Sequence, residues 1–288
     1  GELLPGLHDH HIHLFAAAAA HDSVDCNVGS GTLSQCRALL EARLKRATGN
    51  DWIRGVDYQE QQVGELDRWI LDELCPTRPV RIQHRSGKVW VCNSLALREL
   101  GFKDTELIDG LERSSRGLLT GRIVRRDRLL AERLKHAKAS RRPNITAYSR
   151  QLARYGIVGI TDTSASNTTD TLADFQHLSD GGELLQHFSL MGSDELDSGY
   201  LKILLDEDRL PDLANLVGRI NQARRKGRNL AFHCVTHLEL VFALAALAEA
   251  APCEAGFDRI EHGAVVNDEM AHRLADLGLP VITQPGFL

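Results

Sequence analysis

The sequence predicts an α/β chain folded as a (β/α)8 TIM-like barrel, incomplete over these residues and carrying a long insertion after its first strand. Three observations predict it. The second half alternates short apolar runs with amphipathic stretches, the pattern of repeated βα units around a parallel sheet. Glycines such as Gly227, Gly256 and Gly278 fall where a helix would end and turn into the next strand. Histidines recur at the C-terminal ends of the apolar runs, the face on which barrels build their sites. With 288 residues, 43% hydrophobic and 25% charged, the chain can bury the core of one barrel domain, residues 1–288.

Taken in order, the first strand is expected over Leu3–His10. Roughly residues 32–142 then break the βα rhythm, with helix patterns, strand-like Val80–His84 and Val89–Cys92, and a turn-rich Asp109–Gly121. This stretch reads as an excursion between the first and second barrel strands, placed to cover the site. Further strands are expected at Ile157–Thr163, Leu185–Met191, Leu201–Leu205, Leu230–Cys234, Asp258–His262 and Pro280–Gln284. Helical spacing of apolar residues marks Leu213–Arg225 and Leu238–Ala250 between them. The total is seven strands, one short of a closed barrel. Gly1–Leu4 enter a strand without an initiator Met and Gln284–Leu288 stop just after another, so both ends read as cut from a longer chain.

A formal net charge of -5 gives no broad electropositive surface, which argues against nucleic acid and acidic membranes and for a small-molecule substrate. No apolar stretch reaches membrane-spanning length. The six cysteines, Cys26, Cys36, Cys75, Cys92, Cys234 and Cys253, show no paired zinc or redox spacing and read as reduced, buried thiols. The expectation is a soluble, cytoplasmic protein whose oligomeric state, a homo-oligomer included, is open.

The strongest chemical signal is Pro5-Gly6-Leu7-His8-Asp9-His10-His11-Ile12-His13. Residues two apart on a strand face one side, so His11 and His13 can aim both imidazoles at one ion. Asp9 shares their parity and could orient a ligand ring by accepting its second N–H. His8 and His10 have the other parity and read as packing or surface residues. A lone HxH is weak, but His233 and His262 also end candidate strands. Any one of the four would read as a hydrogen-bonded core histidine; four at the ends of three strands read as a metal cradle. Lys202 lies inside an apolar strand, where an unpaired ammonium is costly. Two readings stay open for it: conversion by carbon dioxide to a carbamate able to bridge metals, or a lysine that reaches solvent or pairs with Asp206.

These residues resemble the amidohydrolase superfamily, and within it the amidohydrolase 3 group of metal-dependent hydrolases. The likeness runs over nearly the whole chain, through Pro5 to His13, Arg78-Pro79-Val80-Arg81-Ile82-Gln83-His84-Arg85-Ser86-Gly87 with Asn93-Ser94, Gly117 to Arg122, Gly156 to Asp162, Leu201-Lys202-Ile203, His233, and Arg259-Ile260-Glu261-His262. It implies that His11 and His13 bind the more buried metal, that Lys202 bridges as a carbamate, and that His233 and His262 hold a second metal. It implies one or two divalent ions, zinc first and iron, manganese or nickel as alternatives. The reaction implied is attack of a metal-activated water on an amide, imide or related non-peptide C–N bond. His84 and Arg85 would contact substrate or, equally, form a structural hydrogen-bond cluster.

The resemblance also implies an aspartate at the end of an eighth strand and a β-sandwich built from both chain ends. Neither falls within these residues, so the catalytic base is unknown and is expected beyond Leu288; Asp258 and Asp276 lack its context. Two further readings follow: a catalytically inactive metal- or ligand-binding homologue, and a one-metal deaminase using His11, His13 and His233 with Lys202 unmodified.

Overall fold

The computed structural model describes residues 3–47, 52–137, 142–252 and 257–284. They fall into two compact units, one formed by Gly1–Ala17 with Ile145–Leu288 and the other by Ala18–Asn144. The chain enters the first unit through β1 (Leu7–Ile12) and then builds the second from β2 (Val24–Asp25), β3 (Ile53–Tyr58), β4 (Val80–His84), β5 (Val89–Cys92), β6 (Leu111–Arg113) and β7 (Leu119–Val124). It returns through β8 (Ile157–Asp162), β9 (His187–Gly192), β10 (Tyr200–Leu204), β11 (Leu230–Cys234), β12 (Arg259–His262) and β13 (Val281–Ile282).

The seven strands of the first unit are all parallel, in the order β1-β8-β9-β10-β11-β12-β13. In that order β1 and β12 are separated by four strands. Yet Glu261 on β12 hydrogen-bonds His11 on β1, and Arg259 Nη2 donates to the His10 carbonyl at 2.8 Å. A flat sheet could not bring these strands together, so the sheet has curled into a nearly closed barrel. Helices supply most crossovers: Thr169–Asp180, Leu213–Arg225, His237–Glu249 and Asp268–Asp276. The exception is β9 to β10, joined by residues 193–199 alone and paired only through Tyr200 with Met191 and Leu201 with Gly192.

Local chemistry accounts for the elements. Asp212 accepts from Asn215 N to cap Leu213–Arg225, and the spacing of Leu216, Ile220 and Ala223 buries one face of that helix. Thr236 and Glu239 form a capping box at His237–Glu249. Those faces pack on Leu201, Ile203, Leu230, Phe232 and Ile260 from the outward side of the strands. The first strand starts at Leu7 rather than Leu3, because Pro5 lacks the N–H a parallel ladder needs. Leu3 and Leu4 are accordingly exposed.

In the second unit the sheet order is β2-β3-β4-β5-β7-β6, parallel across β2, β3 and β4 and antiparallel beyond. The turn-rich Asp109–Gly121 is a hairpin: Gly117, at φ 78°, turns β6 into β7. β3 escaped the sequence because Arg54, Gly55 and Asp57 interrupt its alternation. Gly55 is required there, since a Cβ would come within 2.5 Å of Cys26 Sγ. Cys26, Cys36, Cys75, Cys92 and Cys234 are buried free thiols, and burial pushes Cys26, Cys92 and Cys234 up to about 12. Cys253 and Gly256 lie outside the described residues.

At the N-terminal end of β12, Asp258 is 5% exposed and accepts from Leu230 N and Arg224 Nη1, each at 2.8 Å. It ties helix Leu213–Arg225 to β11 and β12. Truncating one partner of a buried ion pair strands the other, so Asp258→Ala should cost about 3–5 kcal/mol. A urea-unfolding midpoint unchanged from wild type would show that this tie carries no weight.

Candidate functional site

Strand alternation sets the site. On β1, Ile12 is buried while His11 and His13 share the opposite side, their ring centroids 5.5 Å apart and nearly perpendicular. On β11, Leu230, Phe232 and Cys234 enter the core beneath the helices, which leaves His233 facing the barrel interior. On β10 the same logic sends Leu201 and Ile203 outward and Lys202 inward, where it is 3% exposed.

His262 breaks the alternation. Ile260 points into the outer core, and His262 shares its parity, so an ideal strand would turn this ring away from the interior. Its φ of 72° lies in the left-handed region, which costs a non-glycine residue about 1–3 kcal/mol. That turn brings the ring within 4.6 Å of His11 and 4.5 Å of His233, centroid to centroid. The four histidines thus form one chain of ring contacts, His13 to His11 to His262 to His233.

Three of the rings are held at Nδ1. His11 Nδ1 bonds Glu261 Oε2, His13 Nδ1 lies 2.9 Å from Ser164 Oγ, and His262 Nδ1 lies 2.7 Å from Gln284 Oε1. A carboxylate or amide oxygen only accepts, so Nδ1 of His11 and of His262 carries a proton, and Nε2 is the nitrogen that can bind a metal when the ring is neutral. The orienting role expected of Asp9 belongs instead to Glu261. Asp9 Oδ1 accepts from the backbone N of His11 at 3.0 Å, because a residue two back on the same strand reaches the main chain more readily than the ring. His8, of the other parity, hydrogen-bonds Thr161 Oγ1 at 2.9 Å, and its ring lies 4.5 Å from that of His10.

Glu261 is fully buried and meets the His11 ring and two cationic groups. Besides His11, Arg259 Nε donates to Oε1 at 2.5 Å, and Lys202 Nζ lies 3.9 Å from Oε2. Burial opposes its charge, but the His11 hydrogen bond and the charges of Lys202 and Arg259 hold its carboxyl below the usual range. Lys202 Nζ has no hydrogen-bond partner among the described residues. Asp206 is not its partner; that side chain accepts from Asp208 N. Burial pushes Lys202 down to about 8 against the pull of Glu261. Burial, then the neighbouring His262 and Lys202, push His233 down to about 4. The cluster therefore places four imidazoles beside a buried amine that has no hydrogen-bond partner among the described residues.

This donor set suits a divalent cation, which takes neutral imidazole and anionic oxygen ligands. Among the described residues, no three of His, Cys, Asp and Glu converge on one point by themselves. Other carboxylates are spent elsewhere: Asp162 accepts from Leu14 N, Ser164 N and Asn167 Nδ2, and Asp258 binds Arg224. His84 and Arg85 lie in the second unit. His84 Nε2 is 2.5 Å from Glu60 Oε2 and its Nδ1 is 2.8 Å from Ser86 Oγ, while Arg85 Nη1 donates to Gln59 Oε1 at 3.3 Å.

A profile described as the amidohydrolase family matches residues 1–288. The chain belongs to the amidohydrolase family. Among curated proteins, the chain is 25% identical over 342 residues to the N-substituted formamide deformylase of Arthrobacter pascens, covering 99% of the chain and 63% of the relative. It is 23% identical over 333 residues to the putative amidohydrolase YtcJ of Bacillus subtilis strain 168, with the same coverage of each. It therefore spans under two thirds of the length of both. Among solved structures, an uncharacterized metal-dependent hydrolase from Pyrococcus horikoshii OT3 superposes with a TM-score of 0.68 at 20% identity, covering 98% of this chain and 63% of that one. Another, from Pyrococcus furiosus, gives 0.66 at 21% identity, covering 98% and 65%. These two share the fold.

The sequence offered a signal for Glu261 that went unread. Arg259 and Glu261 alternate on a short strand with Ile260, the parity used for His11 and His13. Glu261→Gln keeps the shape and removes the charge that faces Lys202, Arg259 and His11. For a divalent ion held by these histidines, it should weaken binding about 10- to 100-fold, as losses of outer partners do. Competition with a chelator of known affinity would measure this; equal affinity in the two proteins would deny Glu261 the role.

Proposed function

We propose that the natural protein is a hydrolase of a non-peptide C–N bond, an amide, imide or related group in a small molecule, and that it works with a divalent metal, zinc first. The observation that carries this reading is the chain of four ring contacts at the ends of β1, β11 and β12 beside the unbonded Lys202. His11 and His13 would hold one ion and His233 and His262 a second, with Lys202 joining them as a carbamate. A divalent ion in such a site supplies Lewis acidity and lowers the pKa of water into the neutral range.

The chain's own residues set up that chemistry. Glu261 and Gln284 hold a proton of His11 and His262 on Nδ1, so each ring, when neutral, offers its Nε2 lone pair. Lys202, buried and unbonded, is a free amine in part of its population. Its lone pair can add to carbon dioxide, forming an N–C bond and releasing one proton, which replaces an ammonium by a carboxylate. One relative is named N-substituted formamide deformylase, and this favours a small amide of that kind as the substrate class.

The test is made on the full-length natural protein. Metal analysis should find one or two ions per chain, a mass measurement should find a labile carbon dioxide adduct at Lys202, and a panel of formamides, imides and lactams should include a substrate. Metal without turnover on any C–N substrate would overturn the hydrolase reading. His11→Ala and His13→Ala should each lower activity by more than about a hundredfold, since losing a ligand costs more than losing its outer partner. His10→Ala, of the opposite parity, should change activity little. Full activity in either ligand variant would remove the central claim.

A further inference from the structure

The second unit contains a cavity of about 650 Å³ bounded by Trp52, Arg43, Arg46, Arg54, Arg81 and Arg142 among others. Two of these arginines are placed as neighbours by the backbone. Arg54 on β3 and Arg81 on β4 are Cα partners in a parallel register, on the face opposite to Ile53, Val80 and Ile82, which enter the unit's core. Like charges opposed on adjacent strands are destabilising.

Among the described residues, neither is offset by an acid. Arg54 Nη1 donates to neutral acceptors, the Ala19 carbonyl at 2.8 Å and Ser23 Oγ at 2.6 Å. The buried Nε of Arg81 has no hydrogen-bond partner among the described residues. Both guanidiniums lie 5.3 Å from the centroid of one indole, Trp90, which places them over a single aromatic platform. Burial, then the charge of Arg81, pushes Arg54 down to about 10. The acids on the cavity wall are engaged. Asp25 pairs with Arg43 at 3.1 Å, and Asp22 accepts from Asn144 N at 2.8 Å.

We propose that this cavity binds a small phosphate-bearing molecule, whose oxyanion sits between the guanidiniums of Arg54 and Arg81. Planar arginine forks match the oxygens of a phosphate, and a doubly charged anion is what two unpaired neighbouring cations lack. The volume is ample for more than the phosphate group alone, and Trp52 offers an apolar surface to the rest of the molecule.

Calorimetric titration with inorganic phosphate, at fixed ionic strength, tests the proposal. The protein is the His11→Ala, His13→Ala variant alongside wild type, so that binding at the barrel site is separated. Saturable binding should appear in both. Arg81→Met and Arg54→Met should each weaken it at least about tenfold, the worth of one charge-assisted hydrogen bond, while Arg98→Ala, away from the cavity wall, should not. Without phosphate, Arg81→Met should melt at or above the wild-type temperature, because it removes a repulsion. No saturable binding in wild type, binding unchanged in both Met variants, or binding of citrate but not of phosphate would each overturn the proposal.

Discussion

The first unit turns on one buried carboxylate. Glu261 joins β12 to β1 across the barrel, fixes the tautomer of His11, and is the counter-charge for Arg259 and Lys202. A carboxylate with no solvent exposure is tolerable only when such partners surround it. The partners depend on it in turn, since Arg259 and Lys202 would otherwise be two cations in one low-dielectric interior. Closure of the sheet, which Glu261 shares with the Arg259 contact to the His10 carbonyl, and orientation of His11 thus rest on the same buried ion pair.

That coupling bears on the strain at His262. An imidazole that obeyed the strand's alternation would join Ile260 in the outer core and leave only Arg259 and Glu261 of β12 on the inner side. The left-handed turn at His262, followed by Gly263 at φ 55°, lets consecutive residues both serve the interior. Gln284, beyond β13, then accepts a hydrogen bond from the ring's Nδ1–H through its Oε1. Strain at this strand end is supported by hydrogen bonding from its neighbour, the condition under which such backbone persists.

What was legible in the sequence is what local periodicity encodes. Leu230–Cys234, Val80–His84 and Leu213–Arg225 stand where alternation and helical spacing put them. His11 and His13 share a face because two-residue spacing guarantees it. What was illegible depends on distance along the chain or on a broken rule. Glu261 meets His11 across 250 residues, and no local pattern reports a contact of that range. β3 was hidden because Arg54 and Asp57 fall where apolar residues would have marked a strand. His262 was assigned to the site by its position at a strand end, although simple parity would have excluded it; only the backbone angle reconciles the two.

The unbonded amine of Lys202 follows from geometry around Glu261 rather than from lack of an acid. Glu261 has two oxygens. Arg259 takes Oε1 at hydrogen-bonding distance, His11 takes Oε2, and Lys202 is left 3.9 Å from Oε2, near enough for attraction and too far for a bond. Arginine wins the contact because its fork is planar, close on the same strand, and already anchored to the His10 carbonyl. Lysine then bears the desolvation without the hydrogen bond that would offset it, so its neutral form gains ground. A barrel interior that lets arginine saturate the carboxylate in this way leaves one nucleophilic nitrogen unspent beside four imidazoles, and it does so without any residue of the site being strained except His262.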